Sequence, residues 1–189
     1  YHLTLEPNTL FHRFPPPLPD DDLAADMQDM IEARLAAAGY AHYETSAYAK
    51  PGKECRHNLN YWRFGDYLGI GAGAHGKITF HDRVTREARH KQPQAFMDAA
   101  LAGSAIQESK VIAAAELPFE FMLNALRLSE GFPLALFVER TGLPATVLTT
   151  RLDAAEAKGL IERDHVRVRP TEKGRLFLND LLEMFLPEA

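Results

Sequence analysis

Apolar positions in the first half of the chain follow strand and helix patterns in alternation. Residues 1–5, 43–49 and 67–72 are short runs rich in apolar and aromatic residues, which predict three strands. Between the first two runs, apolar residues recur at helical spacing at Leu23, Met27, Met30, Ile31, Leu35 and Ala38. Asp20 offers an N-cap oxygen at the start of this predicted helix, and Gly39 suits its end. Strand, helix and strand in this order predict βαβ units and a parallel sheet.

The second half of the chain is dominated by helical patterns. Helices are predicted over residues 111–128, 134–140 and 145–158, followed by strands at 159–162 and 166–169 and a last helix capped by Thr171. Helix, turn, helix, hairpin and helix in this order are the outline of a winged helix. Because the pattern changes near residues 103–110, we predict two domains, 1–104 and 105–189.

Composition adds limits on cellular compartment and partner. Of the 189 residues, 46% are hydrophobic and 25% charged, and the net charge of −5 provides no global basic field for nucleic acid or anionic membranes. No apolar stretch approaches the ~18 residues of a membrane span. The single cysteine, Cys55, excludes an internal disulfide and fits a cytoplasmic location. The chain begins in a strand pattern at Tyr1 without an initiator Met, which predicts a piece of a longer protein.

The winged-helix outline raises the hypothesis of a nucleic-acid-binding protein. Residues 105–189 carry 10 Lys and Arg against 13 Asp and Glu, and the only basic concentration is Arg163, Arg167 and Arg169 in the predicted hairpin. A surface that binds phosphates would be distinctly basic. The charge balance therefore favours a structural or protein-contacting role, and no nucleic-acid partner is expected.

Residues 57–62 combine a histidine with aromatic residues. If this segment is helical, His57 and Tyr61 share one face, and Asn58 and Trp62 share the neighbouring face. A neutral imidazole can ligate iron, and aromatic rings could shield one face of a porphyrin from water. The alternative is that the segment forms a short helix, which Tyr61 and Trp62 pack against the rest of the protein. His57 would then be hydrogen-bonded or solvated.

Small residues alternate between Gly71 and Gly76, directly after the predicted strand 67–72. Such residues at the carboxyl end of a parallel strand let a ligand approach the backbone closely. The alternative is a crowded strand end where glycine merely fits. The glycine spacing differs from a dinucleotide-binding fingerprint.

Cys55 by itself cannot hold an iron–sulfur cluster, which needs about four thiolate ligands, and we interpret it as an incidental free thiol.

Three segments resemble the oxygen-independent coproporphyrinogen III oxidase-like radical-SAM family. They are Tyr-His-Leu-Thr-Leu-Glu-Pro-Asn-Thr at 1–9, Cys-Arg-His-Asn-Leu-Asn-Tyr-Trp at 55–62 and Tyr-Leu-Gly-Ile-Gly-Ala-Gly-Ala-His-Gly at 67–76. Residues 159–161 and 171–175 also resemble the terminal domain of that family. Within the family, the His-Asn-x-x-Tyr-Trp motif resembles the haem-chaperone branch (HemW) rather than the true coproporphyrinogen oxidases.

The resemblance implies a fold and a set of ligands. The fold class is α/β plus α, with a partial (β/α) radical-SAM barrel followed by a winged-helix-like helical domain. The resemblance assigns haem contacts to His57, Asn58, Tyr61 and Trp62, with His57 as the ligand of the haem iron. It places Thr4, Ala74 and His75 near S-adenosylmethionine in the full-length protein. The implied partners are haem or porphyrin and the respiratory proteins that accept haem, with peripheral membrane contact and pairing of copies through open sheet edges as further expectations.

One departure limits these implications. The three-cysteine motif that holds the family's [4Fe–4S] cluster is absent from this chain. The chain alone is therefore expected to be inactive in radical chemistry, which would belong to a full-length radical-SAM oxidoreductase. The alternative within the family is an oxygen-independent coproporphyrinogen III oxidase, which decarboxylates propionate side chains oxidatively.

Overall fold

A computed structural model describes residues 3–187 and has an α/β composition with small sheets. The chain divides into two compact units, Tyr1–Glu54 (unit 1) and Cys55–Ala189 (unit 2). Unit 1 contains the helices α1 (Leu10–Arg13) and α2 (Asp21–Ala37) and the strands β1 (Ala41–Glu44) and β2 (Ala47–Ala49). The predicted division at residues 104 and 105 stays a prediction about domains.

The predicted helix after Asp20 is confirmed as α2. The Asp20 Oδ1 atom accepts a hydrogen bond from the Leu23 N–H at 2.8 Å, and Asp21 and Asp22 place negative charge in the first turn. The helix ends at Ala37 with Ala38 as its C-cap, and Gly39 follows with a φ of +80° in the left-handed region. None of the 17 residues of α2 is buried.

The two strands predicted in unit 1 differ from the structure. Residues 43–49 contain parts of two strands, because β1 and β2 pair as an antiparallel hairpin that turns at Thr45 and Ser46. Of the predicted strand at 1–5, Tyr1 and His2 lie outside the described residues, and residues 3–5 form no strand. The Glu6 N–H instead donates to the Thr4 carbonyl at 3.1 Å, and Asn8 has a φ of +65°, so the backbone turns there.

Unit 2 begins with a helix and an antiparallel sheet. α3 (Arg56–Trp62) precedes β3 (His75–Thr79) and β4 (Val84–Arg89), and α4 (Pro93–Leu101) precedes β5 (Ile106–Val111). The strand order is β3-β4-β5 with both pairings antiparallel. The prediction of a parallel βαβ sheet is wrong for the described residues. Only residues 80–83 connect β3 to β4, and so short a connection can form a hairpin but no crossover.

The predicted strand at 67–72 is also wrong. Tyr67 forms a single antiparallel bridge with Lys77, and residues 68–72 are irregular. Their backbone folds back on the start of β3, because Gly69 lies against His75. The segment is therefore a loop that leads into β3.

The remainder of unit 2 is helical around a second antiparallel sheet. Its elements are α5 (Leu117–Ala125), β6 (Phe132–Pro133), α6 (Leu134–Thr141), a 3-10 turn (Ala145–Leu148), α7 (Thr149–Ala157), β7 (Ile161–Arg163), β8 (Arg167–Pro170), α8 (Glu172–Leu176) and α9 (Leu178–Glu183). The sheet order is β6-β8-β7. The predicted helix 134–140 and the predicted hairpin are confirmed. The predicted helix 111–128 begins only at Leu117, because Val111 ends β5 and Pro118 suits the first helical turn.

The core of unit 2 is built around Phe121 of α5. Its ring lies 5.0 Å from the ring of Phe132, 5.2 Å from that of Phe137 and 5.6 Å from that of Phe64, all in edge-on arrangements. These four side chains are 0–1% exposed. Because Phe64 lies two residues after the end of α3, this packing anchors the end of α3 to the helical part of unit 2.

Candidate functional site

The candidate site starts with α3, which presents the histidine at its amino end. His57 is exposed, whereas Asn58, Tyr61 and Trp62 are half-buried. The helix ends in a tight turn in which the Gly65 N–H donates to the Asn60 carbonyl at 2.7 Å. A Cβ at Gly65 would lie 2.8 Å from the Asn60 backbone carbonyl oxygen, which is too close, so this turn favours glycine.

Aromatic rings form a continuous series from His57 into the protein. The His57 and Tyr61 rings meet edge-on, with centroids 4.8 Å apart and an interplanar angle of 86°. The Tyr61 ring then contacts the Tyr67 ring, with centroids 4.5 Å apart. The helical spacing predicted the first contact, and the second depends on the fold of the loop after α3. One side of the His57 ring is therefore supported by tyrosine while the residue remains exposed.

Trp62 belongs to a different set of contacts. The Arg127 guanidinium lies over the Trp62 ring at 4.3 Å from its centroid. The Trp62 Nε1 atom is buried, and no hydrogen-bond acceptor for it is found within residues 3–187. These contacts agree with the alternative in which Trp62 packs α3 against the rest of the protein. The assignment of Trp62 as a haem contact stays a prediction.

A polar network holds the far end of the aromatic series. The Arg86 Nη1 of β4 donates to the Tyr67 hydroxyl at 3.2 Å. The Nη2 of the same guanidinium donates to the Glu120 carboxylate of α5. Both partners of this ion pair are about one-quarter to one-third exposed, at 25% for Glu120 and 34% for Arg86. The series thus connects α3 through β4 to the helical part of unit 2.

A buried lysine, Lys77, contacts the segment between α3 and β3 that carries Asp66 and Tyr67. Lys77 is 2% exposed, and its Nζ donates to Asp66 Oδ1 at 2.9 Å and to Thr79 Oγ1 at 3.1 Å while lying 4.1 Å from the centroid of the Phe64 ring. Burial lowers the pKa of Lys77 and outweighs the attraction of Asp66. For Asp66, burial is the largest influence and opposes ionisation, but the hydrogen bonds from Lys77 and Thr79 together hold its pKa below the ordinary value. The pair fixes the loop that carries Tyr67.

The glycine run is partly explained by contacts within the protein. A Cβ at Gly69 would lie 2.4 Å from the His75 carbonyl oxygen, and a Cβ at Gly76 would lie 3.2 Å from the Gly69 nitrogen. These two glycines therefore permit backbone to meet backbone, as the crowded alternative expects. Gly71 and Gly73 instead have φ values of +104° and +72°. An open cavity of about 400 Å³ borders Gly69 and Gly71, with Arg89, Phe96 and Ile106 among its lining residues.

Of the predicted S-adenosylmethionine contacts, Ala74 and His75 are adjacent in unit 2, whereas Thr4 belongs to unit 1. Ala74 is half-buried and its carbonyl accepts from the Arg89 N–H at 2.9 Å. His75 is exposed at the start of β3 and pairs with Ala88. Thr4 is an exposed residue of unit 1.

Cys55 is exposed, and residues 3–187 contain no cluster of three or more His, Cys, Asp or Glu side chains arranged to hold a metal ion.

Comparisons with known proteins decide the family. Residues 112–177 match the HemN C-terminal domain family. Over all 189 residues, the chain is 50% identical to the heme chaperone HemW of Escherichia coli (strain K12) and covers 49% of that protein. It is 47% identical to the heme chaperone HemW of Haemophilus influenzae, again over the whole chain and 48% of the relative. The chain belongs to the HemN/HemW family.

A more distant member of the HemN/HemW family shares the fold. The solved structure described as "Coproporphyrinogen III oxidase (HemN) from Escherichia coli is a Radical SAM enzyme" superposes with a TM-score of 0.65 at 18% identity, over 89% of this chain and 42% of that chain. The heme chaperone HemW of Bacillus subtilis is 32% identical over 195 aligned residues, with all of this chain and 50% of the relative covered. The chain thus spans about half the length of the curated relatives it matches.

The sequence did not predict the residues that contact the aromatic series of His57 and Tyr61 or lie next to it. Tyr67 was part of a predicted strand, and Arg86, Lys77 and Glu120 carried no predicted role. Arg86 lies 19 residues from Tyr67 and 34 from Glu120 along the chain. No short-range pattern connects positions so far apart, and only the β3–β4 hairpin and its packing bring them together.

Proposed function

We propose that this chain is the haem-handling C-terminal part of a haem chaperone of the HemW branch. The observation that carries the proposal is the exposed His57 imidazole with its ring supported edge-on by Tyr61. Relatives named heme chaperone HemW, at 50% and 47% identity across the whole chain, support the same function. The proposed partners are haem and the respiratory proteins to which haem is passed, in the cytoplasm.

The geometry suits a cargo that must leave again. A neutral imidazole nitrogen of His57 would ligate the haem iron, and the Tyr61 ring would limit the orientations of that imidazole. Because His57 is exposed, a ligand of an acceptor protein can reach the iron and replace it. Asn58, Tyr61 and Trp62 are the further haem contacts proposed for this site.

Radical chemistry is proposed only for a full-length protein. A [4Fe–4S] cluster needs about four thiolate ligands, and this chain offers only Cys55, so the residues present do not fit the cluster. Thr4, Ala74 and His75 are proposed to lie near S-adenosylmethionine in the full-length protein, on the strength of the resemblance. We also propose that 1–104 belong to a radical-SAM barrel and that 105–189 form a winged-helix-like domain, whose outline the sheet β6-β8-β7 supports.

The alternative functions are not favoured. The curated relatives at high identity are named as heme chaperones, which argues against a coproporphyrinogen III oxidase. Against nucleic-acid binding, the arginines of the β7–β8 hairpin are engaged within the protein: Arg163 with Asp153 and Glu156, Arg169 with Glu162, and Arg167 with the Glu130 carbonyl. Peripheral membrane contact and pairing of copies through sheet edges stay predictions, and within residues 3–187 no helix is long and apolar enough to cross a membrane.

Titration of ferric haem into the 189-residue chain tests the proposal. We expect His57→Ala to change the Soret band of the complex and to weaken haem binding by more than about 10-fold, because the iron loses its protein ligand. His81→Ala is the matched control, since it removes an imidazole whose side chain is 94% exposed in the β3–β4 turn. Identical Soret spectra and affinities for the wild type and His57→Ala would exclude His57 as the ligand.

A further inference from the structure

The contacts behind His57 form one unbroken path. The Tyr61 ring contacts the His57 ring on one side and the Tyr67 ring on the other. The Tyr67 hydroxyl accepts from Arg86, and Arg86 is paired with Glu120. The path begins at an exposed imidazole and ends in α5, within the region that matches the HemN C-terminal domain.

Each step of this path restricts the next side chain. An exposed histidine on a helix samples several χ1 and χ2 values unless neighbouring groups exclude some of them. The edge-on Tyr61 ring excludes orientations of the imidazole that would overlap it. Tyr61 is itself confined by Tyr67, whose hydroxyl is tied to a guanidinium that two partners orient.

We infer that Tyr67, Arg86 and Glu120 are positioning residues for the His57 imidazole. They act on His57 through the Tyr61 ring. Their effect on haem rests on the proposed function, in which His57 ligates the iron. This path also gives the C-terminal domain a role in the site, because Glu120 holds the guanidinium on which the tyrosine pair depends.

The matched alternative is a network that only stabilises the fold. Arg86 and Glu120 connect the sheet β3-β4-β5 to α5, so their loss would lower the free energy of unfolding in either case. The positioning role makes an additional demand: the orientation of the His57 ring must change in variants that remain folded. The two roles are therefore separable by a signal from His57 itself.

The first measurement is made on the ligand-free 189-residue chain. The imidazole signals of His57 in a ¹H–¹³C NMR spectrum are assigned by their absence from His57→Ala, and their ring-current shift reports the edge contact with Tyr61. We expect Tyr67→Phe, which keeps the ring and removes the hydroxyl, and Glu120→Gln, which keeps the shape and removes the charge, to move these signals. Glu162→Gln is the control, because it breaks an exposed pair between Glu162 of β7 and Arg169 of β8, outside the contacts that join His57 to Glu120.

The second measurement is the affinity for ferric haem. Tyr67→Phe and Glu120→Gln should each weaken haem binding on the order of 10-fold, as is typical when a group that orients a metal ligand is removed. The double variant should cost little more than either single variant, since both act on one path. Glu162→Gln should bind haem like the wild type.

The outcomes distinguish the positioning role from the proposed function. Unmoved His57 signals in folded Tyr67→Phe and Glu120→Gln overturn the inference, whatever their haem affinity. If the signals move but His57→Ala binds haem like the wild type, the network positions His57 and the assignment of His57 as the haem ligand fails. If the signals move and haem binding is weakened in all three variants, both are supported.

Discussion

Helix α2 of unit 1 and helix α5 of unit 2 differ in how much of each helix is buried. α2 in unit 1 has 17 residues and buries none of them, although it carries the apolar stripe that predicted it. α5 in unit 2 has nine residues and buries five: Leu117, Pro118, Phe121, Met122 and Ala125. Among residues 3–187, Ala49 is the sole buried apolar side chain before Cys55, whereas the core of unit 2 extends from Phe64 to Phe185.

An amphipathic pattern therefore predicts a helix but not the surface that covers its apolar face. Leu23 is 52% exposed and Met30 51% exposed, so the apolar stripe of α2 contributes little burial within this chain. The relatives are about twice as long as this chain. Unit 2, by contrast, encloses its own core, and His57 is held by residues of unit 2 alone.

The largest effect is expected for removal of the central ring of unit 2. Phe121→Ala should lower the free energy of unfolding by about 3–5 kcal/mol, because it leaves a cavity between Phe64, Phe132 and Phe137. Urea denaturation followed by circular dichroism measures the change. A loss below about 1 kcal/mol would show that unit 2 does not depend on this core.

A smaller effect is expected from the ion pair between the buried Lys77 and the partly exposed Asp66 of unit 2. Asp66→Asn should cost about 1.5–3 kcal/mol at neutral pH, because Lys77 stays buried without its carboxylate. Asp66 has a lowered pKa in the folded state, so its stabilisation is complete above the unfolded-state pKa of about 4 and is lost as the pH falls through the folded-state value.

Urea denaturation between pH 7 and pH 2 measures this dependence. The wild type should lose stability below about pH 4 more steeply than Asp66→Asn, which cannot titrate at this position. Parallel curves for the two proteins would contradict the assignment. Asp82→Asn serves as control, since Asp82 is half-exposed and pairs with the neighbouring exposed Arg83.

Each unit has a helix whose N-cap side chain accepts a backbone hydrogen bond, so loss of the cap can be compared between the units. Thr171 caps α8 through its Oγ1, which accepts from the Gly174 N–H at 3.0 Å, and Asp20 caps α2 in the same way. Thr171→Ala should lower the stability of unit 2 by about 1 kcal/mol. Asp20→Ala should remove a similar local contribution from α2, seen as faster amide hydrogen exchange at Leu23. Equal amide exchange at Leu23 in the wild type and in Asp20→Ala would mean that the Asp20 cap contributes nothing to α2.

The smallest effect is expected on the apolar stripe of α2. Leu23→Ala should change the free energy of unfolding of this chain by less than about 0.5 kcal/mol, because the side chain is half-exposed and alanine favours the helix. Urea denaturation measures it beside Phe121→Ala. A loss comparable to that of Phe121→Ala would remove the contrast between the units.

Elements with strong local signals were predictable from the sequence. α2 begins where Asp20 supplies a cap, α6 follows its apolar positions, and the β7–β8 hairpin lies where two short apolar runs flank a turn. The sheet β3-β4-β5 was missed because residues 75–79 and 84–89 contain charged side chains such as Lys77 and Arg86, which obscure the alternation expected of strands.

Local patterns predicted the start of α2 and the shared face of His57 and Tyr61, because each depends on residues a few positions apart. Short segments of the chain also carried the resemblance to the family. Local patterns did not predict the antiparallel pairing of the strands, the loop at 67–72, or the contacts that join Tyr67, Arg86 and Glu120 to the rings of Tyr61 and His57. Those features depend on contacts between residues far apart in the chain. Their free energy comes from burial and pairing that local patterns do not encode.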